Sequence, residues 1–201
     1  MIRLIILTPK LVILQSYSTN YIMKGTIHYC LEESIIKVYG EEAWGKVMTA
    51  FGNEADFSFG TQIREDIDEV QSIELFVLTS TVLKVPITEI FDVFGEHWCV
   101  DYSPRVYGVF YRGMKSTKDA ITKLDHVHEV VTGHIKGAYP PRFIYEWESD
   151  NVLHITYKSD RNLIDLFISL IKGLDIKFSD TTNIEKLDEQ RLRLTFEEIE
   201  S

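Results

Sequence analysis

The chain has 201 residues, 45% of them hydrophobic, which suffices for one domain whose core can enclose a small ligand. Its 31 acidic residues outweigh 21 basic ones, and a net charge of -10 excludes a polyanion such as nucleic acid as the natural partner. The two cysteines, Cys30 and Cys99, form no Cys-x-x-Cys clip and no secreted disulfide framework, so a reducing cytoplasm is expected.

Residues 1–22 are read as an amino-terminal extension. Their two apolar runs, Leu4-Ile5-Ile6-Leu7 and Leu11-Val12-Ile13-Leu14, are divided by Thr8-Pro9-Lys10, too short and broken to cross a bilayer. A basic start of only Arg3 and the lack of a small-residue cleavage pattern weaken a secretory signal. From Met23 to about Tyr111 the pattern is helical. Gly40 ends a first helix, and 44–51 forms a short second one. A buried helix over 67–83 stops ahead of Pro86, Thr88 caps the next, and a shorter helix follows Pro104. Ser116 or Thr117 caps a helix running to about 136, where Gly137 and then Pro140-Pro141 stop it. The period then changes from 3.6 to 2, and 143–148 and 152–157 read as a hairpin about Ser149-Asp150-Asn151. A helix over 162–171 stops at Gly173, and strands over 176–179 and 192–196 complete the chain. The fold class is α+β: a mainly helical amino-terminal part packed on a carboxy-terminal part with a small antiparallel sheet. Residues 23–201 form one domain.

Two features carry chemistry. Stepping by three and four from His128 reaches Ile121, Leu124, Val131, Thr132 and Ile135, so this imidazole points to an apolar face, whereas His126 faces water. A neutral imidazole in an apolar wall is an axial ligand for haem iron, and it is also what a core histidine bonded to a carbonyl looks like. Strand alternation after Val152 sends Tyr157, Ser159 and Arg161 to one side, offering a phenol, a hydroxyl and a guanidinium to an anionic group. A solvated strand face gives the same pattern.

Taken together, His128 on its helix, the turn Lys136-Gly137-Ala138-Tyr139-Pro140-Pro141-Arg142, and Tyr157-x-Ser159-x-Arg161 resemble the haem nitric oxide/oxygen binding (H-NOX) domain. Met23-Lys24-Gly25-Thr26-Ile27 resembles that family's amino terminus, and the resemblance covers about residues 23 to 198. It therefore favours a misassigned start over a genuine extension for residues 1–22. The resemblance implies haem b (iron protoporphyrin IX) buried between the two parts, five-coordinate through His128. Tyr157, Ser159 and Arg161 would hold its propionates, and Pro141 would press on the porphyrin. Ile27, Leu31, Leu124, Leu166 and Leu170 are the expected apolar neighbours of the cofactor.

Oxygen-binding members carry a tyrosine at the position of Leu166, and bound oxygen benefits from such a donor, whereas nitric oxide depends less on one. Leu166 thus implies a nitric oxide sensor, with carbon monoxide as a second gas, that does not hold oxygen stably. Tyr29 and Tyr102 are the tyrosines able to change that from other helices. Glu69 lies near a family position that pairs with the arginine matched by Arg161, although a solvated helix start explains the acidic run 65–69 as well. The resemblance implies a stand-alone monomer, not an enzyme, that regulates a separate protein such as a histidine kinase, a cyclic-di-nucleotide enzyme or a chemotaxis receptor. The alternative is a ligand module of the same fold that lacks haem or binds oxygen. No structural zinc is expected after Cys99, and Cys30 and Cys99 are read as small buried hydrophobes.

Overall fold

Local signals in the sequence set most element ends, and the computed structural model describes them for residues 22–133 and 139–197, with backbone alone for Ile22–Lys24, Asp66 and Glu69. Two stretches predicted to begin as helices begin instead as short strands: β1 (Ile22–Lys24) pairs antiparallel with β2 (Asp66–Asp68). The N–H of Gly25 then donates to the Glu65 carbonyl at 3.0 Å, and its Cα lies so close to Gln62 that any side chain would collide with that backbone.

Helix α1 (Gly25–Tyr39) ends ahead of Gly40 at φ 87, as predicted, and α2 (Glu41–Phe51) starts earlier than the apolar pattern alone reveals. Asp68 caps α3 (Glu69–Leu83), its Oδ1 accepting from the Val70 N–H at 2.8 Å. Pro86, not Thr88, occupies the cap position of α4 (Ile87–His97), since its fixed φ of -57 with ψ 146 already delivers the chain into the first turn. Helix α4 runs without a break into a π turn, Trp98–Tyr102, and then α5 (Ser103–Tyr111).

Helix α6 (Thr117–Thr132) carries His128, and the predicted stop at Gly137 falls outside the described residues. Strands β3 (Arg142–Ser149) and β4 (Val152–Lys158) form the predicted hairpin, with a bulge between Trp147 and Ser149. The next expectation fails. Helix α7 (Ile164–Phe178) passes through Gly173, takes in the stretch predicted as a strand over 176–179, and ends on Ser179 at φ 59. The missing strand is β5 (Thr182–Lys186), which pairs with β6 (Arg191–Phe196). Its sequence, Thr-Asn-Ile-Glu-Lys, lacks the apolar alternation that marks a strand; the partner strand and Asp175 hold it. The Asp175 carboxylate accepts from Thr182 N at 3.0 Å and from Thr182 Oγ1 at 2.8 Å. The four-stranded sheet is antiparallel throughout, in the order β3-β4-β6-β5, and the α+β architecture is as expected.

The core has two lobes. Leu31, Ile35, Trp44, Phe76, Ile90 and Tyr102 belong to one beneath the amino-terminal helices, and Ile121, Leu153, Ile155, Phe167, Ile171 and Leu192 to the other against the sheet. Each fully buried aliphatic chain contributes roughly 1.5–3 kcal/mol relative to exposure. Trp98, Leu163 and Leu170 pack against both lobes. The joint is the crossing of α4 and α7, where Gly95 lies against Ser169 and Gly173 lies against Gly95, backbone to backbone. No helix among the described residues is long and apolar enough to cross a membrane.

Candidate functional site

Helix α6 is anchored before it reaches the site. Ser116 Oγ accepts from Asp119 N–H at 3.1 Å while the Asp119 carboxylate accepts from Lys115 N–H at 2.8 Å, a reciprocal cap that fixes the first turn. One face of α6 then presents Ala120, Leu124, Val127, His128 and Val131 to a cavity of about 330 Å³ between the two lobes. The opposite wall comes from Leu163 and from α7, where Leu166, Phe167, Leu170 and Leu174 repeat at helical spacing over about 12 Å. Ile27 of α1, Phe94 of α4 and Trp98 of the π turn close it from the helical half. A 300–1,000 Å³ cavity with apolar walls and few polar groups is the usual form of a cofactor site.

The polar groups are few and separately positioned. His128 Nδ1 lies 3.3 Å from the Pro141 carbonyl oxygen, so a proton on Nδ1 is held by the chain and the lone pair falls on Nε2. Burial pushes the imidazole below its ordinary pKa, and the Pro141 carbonyl and the Asp125 carboxylate only partly oppose this, which keeps the ring neutral at pH 7. Pro140 and Pro141 line the same cavity, and Phe143 packs its ring 5.7 Å from that of His128.

Asp125, one turn before His128, fixes the distance between α6 and β3. Its carboxylate accepts from Arg142 Nε at 2.8 Å, from the second guanidinium nitrogen at 2.6 Å, and from Phe143 N–H at 2.9 Å. The Arg142 hydrogen bond is the first cause of its lowered pKa, ahead of the opposing effect of burial. Tyr145 adds a second tie, donating to the Ile121 carbonyl at 2.8 Å. Asp125→Asn should therefore loosen the Pro141 carbonyl from His128, at a cost of about 1–2 kcal/mol after allowance for partial exposure. Because the folded pKa is depressed, the wild type should hold this increment above the unfolded aspartate value and lose it as pH falls through the folded one. Urea midpoints of the two proteins at several pH values check this: the gap should narrow under acid, and a gap constant with pH would rule it out.

At the far end of β4, Tyr157 is buried and Arg161 is 7% exposed, and both line the cavity. Arg161 sits between the strand and α7, just before Asn162, whose φ of 52 turns the chain. Ser159 is not among the cavity-lining residues. Its Oγ accepts from the Arg161 N–H at 3.3 Å. The strand ends at Lys158, paired with Arg142, so the alternation that predicts Tyr157, Ser159 and Arg161 on one side does not extend to the serine.

Of the other predicted neighbours, Ile27, Leu124, Pro141, Leu166 and Leu170 face the cavity. Leu31, one turn beyond Ile27, does not line it and is fully buried in the amino-terminal lobe. Neither Tyr29 nor Tyr102 lines it. The side chain of Glu69 and the stretch 134–138 lie outside the described residues, and with them the expected partner of Arg161 and much of the turn before Pro140. Ser103, Tyr107 and Tyr111, spaced by four along α5, were missed as lining residues although that spacing places them on one helix face. The Ser103 and Tyr111 hydroxyls are 2.6 Å apart, and burial pushes the Tyr111 phenol up to about 12.

A family model described as Haem-NO-binding matches residues 24–186. Similar solved structures include a Cs H-NOX mutant carrying 4-cyano-L-phenylalanine, 24% identical, covering 88% of this chain and 97% of that one with a TM-score of 0.77. Another is an oxygen-binding H-NOX domain related to soluble guanylate cyclases, in its oxygen complex: 24% identical, 88% and 96% covered, TM-score 0.74. An isoleucine-to-phenylalanine mutant of T. Tengcongensis H-NOX is 24% identical, with 88% and 98% covered and a TM-score of 0.75. No curated protein matches the chain. At these identities the structural likeness carries the fold, while the family match spans the helical lobe, the histidine helix and the first strands of the sheet. The chain belongs to the haem-NO-binding, or H-NOX, family of haem-based gas-sensing domains.

Proposed function

We propose that this domain binds haem b in the cavity between its lobes and senses nitric oxide, with carbon monoxide as a second gas, without holding oxygen stably. The observation that carries the reading is His128: an imidazole in an apolar wall whose Nδ1 faces the Pro141 carbonyl, leaving Nε2 as the nitrogen with a free lone pair. Those residues fit the group, since an elongated apolar slot with one neutral imidazole and a buried guanidinium matches a flat macrocycle bearing carboxylates. When bound, haem supplies an iron atom with one coordination position open to a diatomic gas.

His128 would hold the iron and Leu124 would pack beside it. Arg161 and Tyr157 would hold the propionates by charge and hydrogen bond, and Ser159 would support them through the Arg161 backbone. Pro141 would press on the macrocycle. Leu163, Leu166 and Leu170 exclude water from the face opposite His128 and offer it no donor. A leucine rather than a phenol at position 166 favours a ligand that needs no hydrogen bond over one that does. The partner is proposed to be a separate signalling protein, a histidine kinase, a cyclic-di-nucleotide enzyme or a chemotaxis receptor, met in the cytoplasm by a monomeric domain formed by residues 23–201.

Absorption spectra of the reduced, haem-loaded protein test this. The expected result is a Soret band that shifts with nitric oxide and does not shift in air before oxidation. A shift in air that survives desalting would overturn the gas selectivity, and the lack of any Soret band would overturn the cofactor.

A further inference from the structure

Phe94, Trp98 and Tyr102, spaced by four through α4 and the π turn, form a continuous ring stack. The Phe94 and Trp98 centroids are 5.7 Å apart at 23°, and those of Trp98 and Tyr102 are 5.5 Å apart at 20°. Trp98 lines the cavity, whereas Tyr102 is buried behind it. The next ring, Tyr29 of α1, stands edge-on to Tyr102 at 6.2 Å and is half-buried at the surface. Tyr29 shares a helix face with a carboxylate, Glu33 one turn along α1, and that charge adds to burial in raising the Tyr29 phenol above its ordinary pKa. Glu33 is itself fixed by Arg105, 2.5 Å away, and by His97, 3.2 Å away. Edge and stacked packing are ordinary in cores. A run of oxidisable rings that starts at a cavity and ends on a phenol with a built-in proton acceptor is more specific than that.

We propose that Trp98 and Tyr102 relay a one-electron oxidation from the cavity to Tyr29, making Tyr29 the residue that nitrogen dioxide nitrates. Nitrogen dioxide is the apolar radical formed where nitric oxide meets oxygen, so the source of oxidant, and only that, rests on the nitric oxide reading. In the cavity one nitrogen dioxide takes an electron from Trp98 and leaves as nitrite. An electron then passes from Tyr29 to Trp98 with Tyr102 as a bridge that keeps its own proton, and the Tyr29 phenol passes its proton to Glu33, so that one nitrogen dioxide yields one nitrite and one neutral tyrosyl radical. A second nitrogen dioxide bonds to the ring carbon beside the oxygen, and the hydrogen on that carbon moves as a proton to the oxygen, giving 3-nitrotyrosine. Tyr102 is a poor terminus, because it is buried and the Arg105 cation lies 5.2 Å from its ring centre.

Two tyrosines serve as internal controls. Tyr139 is 60% exposed, and Tyr39 donates to Glu89 at 2.7 Å, a phenol beside a carboxylate that lies outside the ring path. The experiment generates nitrogen dioxide radiolytically from nitrite in solutions of the protein with and without haem, then maps nitration by peptide mass spectrometry. Nitration at Tyr29 should exceed that at Tyr139 and Tyr39, and Trp98→Phe should lower it severalfold while leaving both controls unchanged. Glu33→Gln, a change near the surface, should lower it in the same way and keeps the proposal open to refutation if the Trp98 variant fails to fold. Nitration led by Tyr139, unchanged Tyr29 nitration in both variants, or oxidation confined to Cys99 and Met114 of the cavity wall would overturn it. Because the map is also read without haem, a missing Soret band would sink the cofactor reading and leave this one to stand or fall separately.

Discussion

His128→Ala is expected to leave the protein folded and to abolish its Soret band, with external imidazole restoring it. The fold should survive because alanine is the best helix former, and the tie of Thr132 Oγ1, 2.6 Å from the His128 carbonyl, involves backbone that the substitution keeps. The lost contact with the Pro141 carbonyl is a single hydrogen bond, about 0.5–1.5 kcal/mol. Cofactor binding should suffer far more. Removing even an outer partner of a metal-bound histidine costs roughly 10–100-fold in metal affinity, and here the ligand atom itself disappears. Imidazole rescue separates the two explanations for a lost band: a vacated coordination position refills, whereas a collapsed cavity does not. Circular dichroism on the same samples supplies the fold readout. Haem retained at wild-type affinity in the variant would remove His128 from the iron.

The legibility of that site in the sequence has a physical limit visible at Ser159. Periodicity identified the apolar face of α6 and the hairpin beyond it because those signals are local: Ser116 caps, Ser149-Asp150-Asn151 turns, and side chains alternate while the strand lasts. Alternation lost its meaning where β4 gave out at Lys158, and nothing in the residue types marks that point. Leu31 fails for a related reason. It shares a helix face with Ile27, but a turn of α1 carries it from the cavity rim into the amino-terminal lobe. Asp125 shows in the sequence only as a charge, and its partners Arg142 and Phe143 are known only once α6 and β3 are brought together.

Gly173→Ala is expected to be strongly damaging for so small a substitution, and it comes from the position where sequence and structure part most clearly. A glycine after an apolar helical run reads as a stop, because glycine accepts the left-handed conformation that ends helices. Here it is helical and mid-element, and its small size serves the crossing with α4 instead. A methyl group at 173 would overlap the Gly95 carbonyl oxygen and come within 3.1 Å of Cys99 Cβ. The obstructing atoms are mostly backbone, so no rotamer change relieves them, and the two helices must part. Overpacking of this kind costs about 1–3 kcal/mol or more, which lowers Tm by roughly 2–4 °C per kcal/mol in a domain of this size. The same two helices carry Phe94, Leu170 and Leu174 into the cavity, so their separation should also weaken cofactor retention. Gly108→Ala is the matched control: it is helical, a methyl group there meets nothing within 4 Å, and replacing glycine should be neutral or stabilising by about 0.4–1 kcal/mol. Thermal unfolding of both variants, with haem release measured by transfer to apomyoglobin, checks the argument. Equal Tm values for the two would mean that α4 and α7 do not meet through their glycines; a lower Tm for Gly173→Ala with unchanged haem release would keep the crossing but uncouple it from the cavity.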